Sequence, residues 1–318
     1  MNIIFTVCDR TQLAQALALA DAVRRHHPDR PFYIGLVDEL PFVKVPGSAS
    51  LIPVETLNIP AWSAMTSLYY SYELVAACRP WFGKYLLEQN PSCQRLTFLA
   101  PSTYLYASLE PVEQPGAELL LTPHLTRPTQ GTLDDKRILN IGMYHAGGWV
   151  ASNTHAIGTW LDWWAVRTQD RAKFDLCQGM CLDQLWLNYA PIWVPTAAPI
   201  AAPGWQYGLH SVQNIPLEKV NDKYFVAGYE LISADFAGLV GYHPVWSDHQ
   251  DLVALSSGFQ QLLREYLRVL KTYAPHQAPG LAAYGLSAPI KKSRGLRKKW
   301  VKYLSGIAHR IDTYDLTY

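Results

Sequence analysis

The chain of 318 residues is 49% hydrophobic and 17% charged, and its formal net charge is +1. This composition predicts one large globular domain, alone or with an appendage, and gives no signal for nucleic-acid binding. The five cysteines lack the spacing of a disulfide framework and no secretory leader is recognisable, so we expect reduced thiols and a cytoplasmic protein. No apolar run reaches the length of a membrane-spanning helix.

The first 37 residues have the pattern strand, helix, strand. Ile3 to Val7 is apolar and β-branched, Asp9 or Thr11 can cap a helix over residues 13–23, and residues 32–37 form a second apolar run. This order predicts a βαβ unit with parallel strands. Because no G-x-G-x-x-G follows the first strand, a dinucleotide-binding fold has no support.

Beyond residue 37 the apolar pattern continues to alternate between strand and helix, which favours an α/β protein. The remaining predicted elements are, in chain order, helices over 65–78 and from Pro80 onward, strands within 96–106 and over 118–122, a glycine-rich turn feeding a strand over 142–151, a helix after Thr154 whose Trp160, Trp163 and Trp164 face the core, and an amphipathic helix over 259–270.

The segment after residue 273 differs in composition from the rest. We predict a linker over 274–290 and a basic tail over 291–318, which holds seven lysines and arginines and no acid between residues 291 and 302. Because Trp300 and Tyr303 are interleaved with these cations, residues 291–310 are typical of an interfacial helix on an anionic membrane. A solvated or partner-binding helix is the alternative. The predicted domain thus spans residues 1–273.

The stretch from Leu96 to Tyr106 points to a site. It begins as a buried apolar strand that stops at Pro101, and in an open α/β sheet ligands bind beyond the carboxyl ends of strands. Ala100 and Ser102 are therefore expected at the mouth of the site. A phosphate-bearing ligand with its metal usually requires carboxylates there, because hard cations need oxygen ligands. This chain offers a methyl group and a hydroxyl instead.

Three further stretches complete an ordered set with Leu96 to Tyr106. In order, they are Tyr72 to Trp81 with an Arg before its Pro, Tyr144 to Val150 with Ala-Gly-Gly, and Leu182 to Asn188 with Asp-Gln. This order and spacing resembles retaining glycosyltransferases of the nucleotide-diphospho-sugar transferase (GT-A) fold, of the glycogenin and lipopolysaccharide galactosyltransferase type. The resemblance covers most of residues 1–270.

The resemblance implies a single Rossmann-like α/β domain, with a mainly parallel central sheet flanked by helices and a basic helical appendage at the C-terminus. It also implies an enzyme that moves a sugar from a nucleotide-diphosphate sugar to a cell-surface glycan or a lipid-linked acceptor, with retention of configuration. The expected location is the cytoplasm. Peripheral binding to the inner face of the membrane is a further expectation.

The family commonly holds a divalent metal with an Asp-x-Asp and a later His. By the resemblance these positions are Ala100, Ser102 and Asp235 in this chain, so all three ligands have changed. One remaining carboxylate makes a poor metal site, because a hard cation needs several oxygen ligands. We therefore expect no metal ligands, no cofactor, and weak or absent metal dependence.

The same resemblance assigns roles to individual residues. Asp183 and Gln184 are expected near the transferred sugar as the catalytic residues, with the Gln close to the anomeric carbon. The alternative for Asp183 is that it caps the short helix that follows. Donor-binding residues are expected to be Thr6, Cys8, Asp9, Arg79, Ala100, Ser102, His145, Gly147 and Asp235.

Each donor assignment has a structural alternative. Arg79 would neutralise a diphosphate or lie solvated near a helix end. His145 would hydrogen-bond a sugar or phosphate or be structural, and Gly147 would let a ligand approach the backbone or form a turn or bulge. Asp9 would otherwise cap a helix, and Asp235 would otherwise form a salt bridge.

Two tryptophans have flanking sequences that suit an acceptor site. Trp205 and Trp246 are neighbours of Gly, Pro or Ser, and we expect them to stack on an acceptor sugar. His210 and His243 lie in predicted loops and are weaker candidates for ligand contact.

Two other functions remain open beside sugar transfer. The missing acids leave room for a catalytically inactive scaffold that binds a nucleotide or a glycan on the same fold. A hydrolase ranks lower, because no nucleophile, base and orienting group are recognisable together.

Overall fold

The computed structural model describes residues 1–39, 49–128, 135–276, 280–288, 300, 303–304 and 306–307. The chain forms two compact units, Met1–Leu286 and Ser287–Tyr318. The first unit holds every strand given below. Among the described residues, no helix combines the length and the apolar character needed to cross a membrane.

The elements alternate along the first unit as the sequence predicts. The strands are β1 Asn2–Cys8, β2 Phe32–Leu36, β3 Ala49–Pro53, β4 Arg95–Leu99, β5 Thr103–Leu105, β6 Leu119–Pro123, β7 Tyr144–Ser152, β8 Phe174–Asp175, β9 Met180–Cys181, β10 Ala198–Pro199, β11 Leu217–Val220, β12 Lys223–Val226, β13 Tyr229–Glu230 and β14 Ser233–Asp235. The helices are α1 Leu13–His26, α2 Trp62–Leu68, α3 Ser71–Gln89, α4 Asp135–Ile141, α5 His155–Arg167, α6 Ala190–Trp193 and α7 Ser257–Tyr273.

A seven-stranded sheet in the order β10-β6-β7-β4-β1-β2-β3 forms the centre. β1 pairs in parallel with β2 and β4, which confirms the predicted βαβ unit, and β2 pairs in parallel with β3. β7 is antiparallel to both of its neighbours, β4 and β6. It follows that β1, β4 and β6 all end at one edge of the sheet, which we call the carboxyl edge.

The two faces of the sheet bury separate cores because side chains alternate along each strand. In β1, Ile4 packs on the side of α1 and α7, whereas Ile3 and Phe5 pack on the side of α3 and α5. Trp160 and Trp164 of α5 are fully buried in the second core, as the helical spacing predicts. The third tryptophan of α5, Trp163, is only partly buried and packs against the edge of the same core.

The predicted helix over 65–78, followed by a new helix at Pro80, is wrong in its boundaries. The break falls earlier, at Tyr69 and Tyr70, and α3 then runs through Pro80 to Gln89. Tyr70 adopts an extended backbone, and its N–H donates to the carboxylate of Glu73 at 2.9 Å, which fixes the start of α3. Tyr69 is buried, and its hydroxyl donates to the carbonyl of Thr168 at 2.9 Å.

Residues 280–286 return to the first unit, and we call them the C-terminal strap. The N–H of Leu286 donates to the carbonyl of Tyr69 at 2.7 Å, and the N–H of Ala283 donates to the carboxylate of Asp38 at 3.2 Å. Because Asp38 follows β2 and Tyr69 precedes α3, the strap crosses from the carboxyl edge to the start of α3. These residues fall within the segment that the sequence predicts to be a linker.

Candidate functional site

The carboxyl edge brings Ser102, His145 and Asp235 together. β14 pairs antiparallel with β5, which puts Asp235 opposite Thr103. One carboxylate oxygen of Asp235 accepts from Ser102 Oγ at 2.6 Å and from the N–H of Ala237 at 3.0 Å. The other lies 3.0 Å from His145 Nε2. Three residues that are distant in sequence thus form one buried hydrogen-bonded group.

The charge on Asp235 follows from these contacts. Burial raises the pKa of this carboxyl group, but the bonds from His145 and Ser102 outweigh burial, and the net pKa lies well below the ordinary value. An ionised carboxylate only accepts, so His145 Nε2 must carry a hydrogen and donate it. The other ring nitrogen, His145 Nδ1, is buried and has no partner among the described residues.

The three positions that the resemblance matches to metal ligands do lie near one another. Ala100 ends β4, and its N–H donates to the carbonyl of Gly147 at 2.8 Å, while Ser102 and Asp235 bond each other. A methyl group, a hydroxyl and one carboxylate already committed to three donors do not fit a hard cation. Within the described ranges, no three His, Cys, Asp or Glu side chains are arranged to hold a metal ion.

Arg79 and Asp183 form an ion pair beside this group. Arg79 Nη1 lies 3.0 Å and 3.3 Å from the two carboxylate oxygens of Asp183, and the guanidinium lies over the ring of Phe98 at 5.4 Å. Asp183 is fully buried, and burial raises its pKa more than Arg79 lowers it. Arg79 Nε is buried and has no acceptor among the described residues, so this N–H remains available to a ligand.

Gln184 connects two segments of backbone. Its Oε1 accepts from the N–H of Ala146 at 3.0 Å, and its Nε2 donates to the carbonyl of Ile141 at 2.8 Å. The amide is therefore satisfied by the protein itself, which gives Gln184 a structural role. Oε1 retains a second lone pair that a ligand could use.

Gly147 lies in a bulge of β7. The pairing of β6 with β7 jumps at Leu121, where the register shifts by three residues on β7. A Cβ on Gly147 would lie 2.3 Å from His145 Nε2, and one on Gly148 would lie 2.8 Å from the Trp205 ring. The bulge that the sequence left as an alternative is present, and the glycines admit the side chains of His145 and Trp205.

The end of β1 is dominated by buried groups. Asp9 accepts from the N–H and the hydroxyl of Thr11 at 2.8 Å and 2.5 Å, so it caps the turn before α1, as the structural alternative predicts. Cys8 is buried, and burial together with Asp9 raises the pKa of its thiol. Thr6 Oγ1 is buried and has no partner among the described residues. No bond from these residues to the Asp235 group is present among the described contacts.

A cluster of aromatic side chains joins this group to the end of β6. The ring of His124 lies 5.3 Å from that of His145 and 6.1 Å from that of His210, and Trp246 lies 5.9 Å from His210. Burial lowers the pKa of His210 to about 4 and that of His243 to about 3, with neighbouring histidines adding to the effect. These imidazoles are therefore neutral near pH 7.

His124 was not among the sequence candidates. Its Nδ1 lies 2.9 Å from the carbonyl of Gly142, which requires Nδ1 to carry the hydrogen. Burial lowers the pKa of His124 well below the ordinary value, so Nε2 holds a lone pair, and this atom is buried without a partner among the described residues. The only sequence signal was a polar residue directly after the apolar strand that ends at Pro123.

A cavity of about 240 Å³ opens next to His124 at the ends of β6 and β10. Trp205 lines this cavity and donates from Nε1 to Thr122 Oγ1 at 2.7 Å. Trp246 is buried against His124 and His210 and is not among the lining residues. The lining comprises Thr122, Pro123, His124, Leu125, Thr126, Arg127, Ile200, Ala201, Ala202, Pro203, Trp205, His210, Ser211, Asn214 and Ile215.

The fold is shared with solved glycosyltransferases. The galactosyltransferase LgtC, solved in complex with donor and acceptor sugar analogs, superposes with a TM-score of 0.51 at 14% identity over 86% of this chain and 96% of that chain. This likeness confirms the predicted α/β GT-A fold. A glycosyltransferase involved in the glycosylation of the major capsid of PBCV-1 has a TM-score of 0.45 at 8% identity, over 80% of this chain and 100% of that chain.

A sequence relative comes from Bacillus subtilis (strain 168). The uncharacterized protein YfnF is 26% identical over an alignment of 252 positions, and the match covers 72% of this chain and 82% of that protein. No family model matches the chain.

Proposed function

We propose that the protein is a glycosyltransferase that moves a sugar from a nucleotide-diphosphate sugar to a hydroxyl of a glycan or lipid-linked acceptor. One observation carries this proposal. Polar nitrogens without a partner among the described residues are buried around the carboxyl edge, and their chemistry is complementary to these two substrates. Arg79 Nε needs an acceptor, and His124 Nε2 needs a donor.

A diphosphate suits the Arg79 side of the site. A phosphate oxygen would accept from Arg79 Nε, and guanidinium groups match phosphate geometry. Asp235 is occupied by three donors and the neighbouring positions lack carboxylates, so the donor would bind with little or no need for a metal. Stabilisation of the departing diphosphate would then depend on Arg79 and on N–H groups of the site.

A sugar hydroxyl suits the His124 side. The cavity beside His124 combines one indole, one guanidinium and several hydroxyl or amide groups, which is the composition of a site for a polar ring-shaped ligand. A hydroxyl of the acceptor would donate to His124 Nε2, and Trp205 would form part of the wall. Trp246 would support the rings of His124 and His210 by packing against them, and it would not stack on the acceptor itself.

Retention of configuration is part of the proposal through Gln184. The resemblance puts this amide near the anomeric carbon, and the remaining lone pair of Oε1 is the atom that would act there. Asp183 would have two roles, because it would hold Arg79 in position through their ion pair in addition to any contact with the sugar. The cytoplasmic location and the membrane contact of residues 291–310 are likewise proposals, and most of that tail lies outside the described residues.

The test is thermal unfolding of the full chain with nucleoside diphosphates and their sugars, each in manganese and in EDTA. We expect one nucleotide to raise the melting temperature equally in both conditions, because a ligand that binds only the folded state stabilises it by mass action. A shift that requires manganese would contradict the metal-free donor site. The absence of any shift would overturn donor binding altogether.

The alternative is an inactive scaffold on the same fold, favoured by the absence of the metal-binding acids. A nucleotide shift without release of free diphosphate or transfer to any glycan acceptor would support it. Sugar transfer to an oligosaccharide in EDTA would exclude it.

A further inference from the structure

A group of aromatic rings lies on the surface of the first unit, away from the cavity. Trp163 of α5 is the centre, and its ring lies 5.8 Å from Trp186, 6.1 Å from Tyr189 and 5.8 Å from Trp193. We call these four residues the aromatic surface cluster. Trp186 and Tyr189 belong to the 3-10 turn that directly follows Asp183 and Gln184, so the cluster and the candidate site share one continuous segment of chain.

Half of the cluster is exposed to solvent, while Trp163 and Trp186 are partly buried against the second core. Tyr189 and Trp193 are each 51% exposed, and two aliphatic neighbours, Val166 and Ile192, are 50% and 67% exposed. Ile192 and Trp193 are the last two residues of α6, which is a single helical turn, and they form an adjacent apolar pair. Exposed contiguous apolar side chains of this kind mark an interaction surface.

The acids beside the cluster are paired, and an unpaired cation faces its central ring. Asp162, the sequence neighbour of Trp163, forms an ion pair with Lys84 at 2.5 Å. The guanidinium of Arg167 lies over the Trp163 ring at 5.4 Å, and Trp186 donates from Nε1 to the backbone of Arg171 at 3.0 Å. Arg171 pairs with Asp170, but Arg167 and Lys173 form no ion pair with any described residue. The surface therefore combines amphipathic rings, aliphatic tips and unpaired cations.

We propose that the aromatic surface cluster docks the domain on an anionic lipid surface. Trp and Tyr rings favour the boundary between headgroups and acyl chains, and cations beside them attract anionic headgroups. The same chemistry recurs in the separate C-terminal unit, where Trp300, Tyr303 and Leu304 are 61%, 63% and 55% exposed next to the basic run. A soluble partner would not require this combination twice in one chain.

The consequence rests on the proposed function. A domain that lies on the membrane through residues next to Gln184 would keep its sugar-transfer site near lipid-linked acceptors. Binding itself can be measured without any transfer, so failure of docking and failure of catalysis are separate results.

The test is co-sedimentation of the full-length protein with vesicles of phosphatidylglycerol and phosphatidylcholine, and with phosphatidylcholine alone. Ile192→Ala with Trp193→Ala should weaken partitioning onto the anionic vesicles about tenfold or more, because two exposed apolar side chains that would become buried in the lipid are lost. The matched control is Val220→Ala with Tyr229→Ala, an exposed aliphatic and aromatic pair on β11 and β13. The control should bind like the unmodified protein.

A second measurement reports contact directly. Ile192→Cys in a Cys177→Ser background carries one exposed thiol, since the other four cysteines are buried. An environment-sensitive dye on this thiol should shift to the blue when anionic vesicles are added. An unchanged dye spectrum, or equal vesicle binding by the Ala variants, would overturn the proposal and leave the tail as the anchor. Concentration-dependent dimers lost in the Ala variants, without a vesicle effect, would assign the cluster to a second copy instead.

Discussion

At the scale of single residues, the proposed role of His124 is the most direct to test, because its two ring nitrogens have different environments. Replacement by Phe keeps a ring of similar size but removes the Nε2 lone pair and also the Nδ1–H bond to Gly142, so the melting temperature of the free variant is measured as well. If this atom receives an acceptor hydroxyl, His124→Phe should raise the KM for acceptor about tenfold, since a hydrogen bond is worth about 1 kcal/mol or more. The thermal shift caused by the nucleotide donor should not change. Loss of donor binding would place His124 in the donor site instead.

His27 predicts a pH dependence of stability at a position far from the site. Its Nε2 accepts from the N–H of Leu109 at 2.9 Å, and burial with help from Arg30 and His26 lowers its pKa to about 4. Below pH 6.5 the unfolded chain gains a proton that the folded chain does not bind until about pH 4. This residue therefore reduces the free energy of unfolding by up to about 1.4 kcal/mol per pH unit as the pH falls through that range.

Urea unfolding between pH 7 and pH 4 measures this effect. His27→Gln removes the titrating group. The decrease in the free energy of unfolding between pH 7 and pH 4 should therefore be smaller in the variant, by the amount that His27 contributes. The buried His210 and His243 contribute slopes of the same sign and remain in the variant. An unchanged pH dependence would show that His27 binds its proton equally well in the folded protein.

At the scale of elements, the bulge of β7 is a test of close packing. A methyl group on Gly147 would overlap the imidazole of His145, so Gly147→Ala should lower the free energy of unfolding by about 1–3 kcal/mol. In a His145→Ala background the methyl group has room, and the same substitution should cost much less. Denaturant unfolding of the four proteins gives this cycle. Equal costs in both backgrounds would place the strain in the backbone.

Element types could be predicted from the sequence because they depend on local periodicity. β1, α1 and β2 follow the expected pattern closely, and α7 contains the whole predicted amphipathic segment. The break at Tyr70 and the continuation of α3 through Pro80 were missed, because both depend on tertiary contacts. Tyr69 is fixed by Thr168, about a hundred residues away, and no local pattern contains that information.

The site could be predicted only in part for the same reason. The ordered motifs pointed to Arg79, His145, Asp183 and Gln184, and the family's later metal-binding His pointed to Asp235. The fold brings these residues into bonds with one another or with the backbone. Their partners were not predictable, because an ion pair of Arg79 with Asp183 joins two motifs that are separate in sequence. The assigned ligand contacts stay predictions.

At the scale of the whole molecule, the C-terminal strap predicts where the chain can be shortened. A chain that ends at residue 288 keeps the bonds of Ala283 and Leu286 and the bond of Tyr284 to Glu55 at 2.6 Å. A chain that ends at residue 279 loses them, so its free energy of unfolding should fall by about 3 kcal/mol. The longer truncation product serves as the matched control. Equal stability of the two would mean that the strap only rests on the surface.

The bond between Ser102 and Asp235 determines what a second acid would do at this position. Ser102→Asp would set two carboxylates face to face where one hydroxyl now donates to one carboxylate. Their repulsion would be relieved only by a bound cation or by a proton shared between them. The free energy of unfolding of a Ser102→Asp variant should therefore rise when manganese or calcium is added, whereas that of the present hydroxyl–carboxylate pair should not.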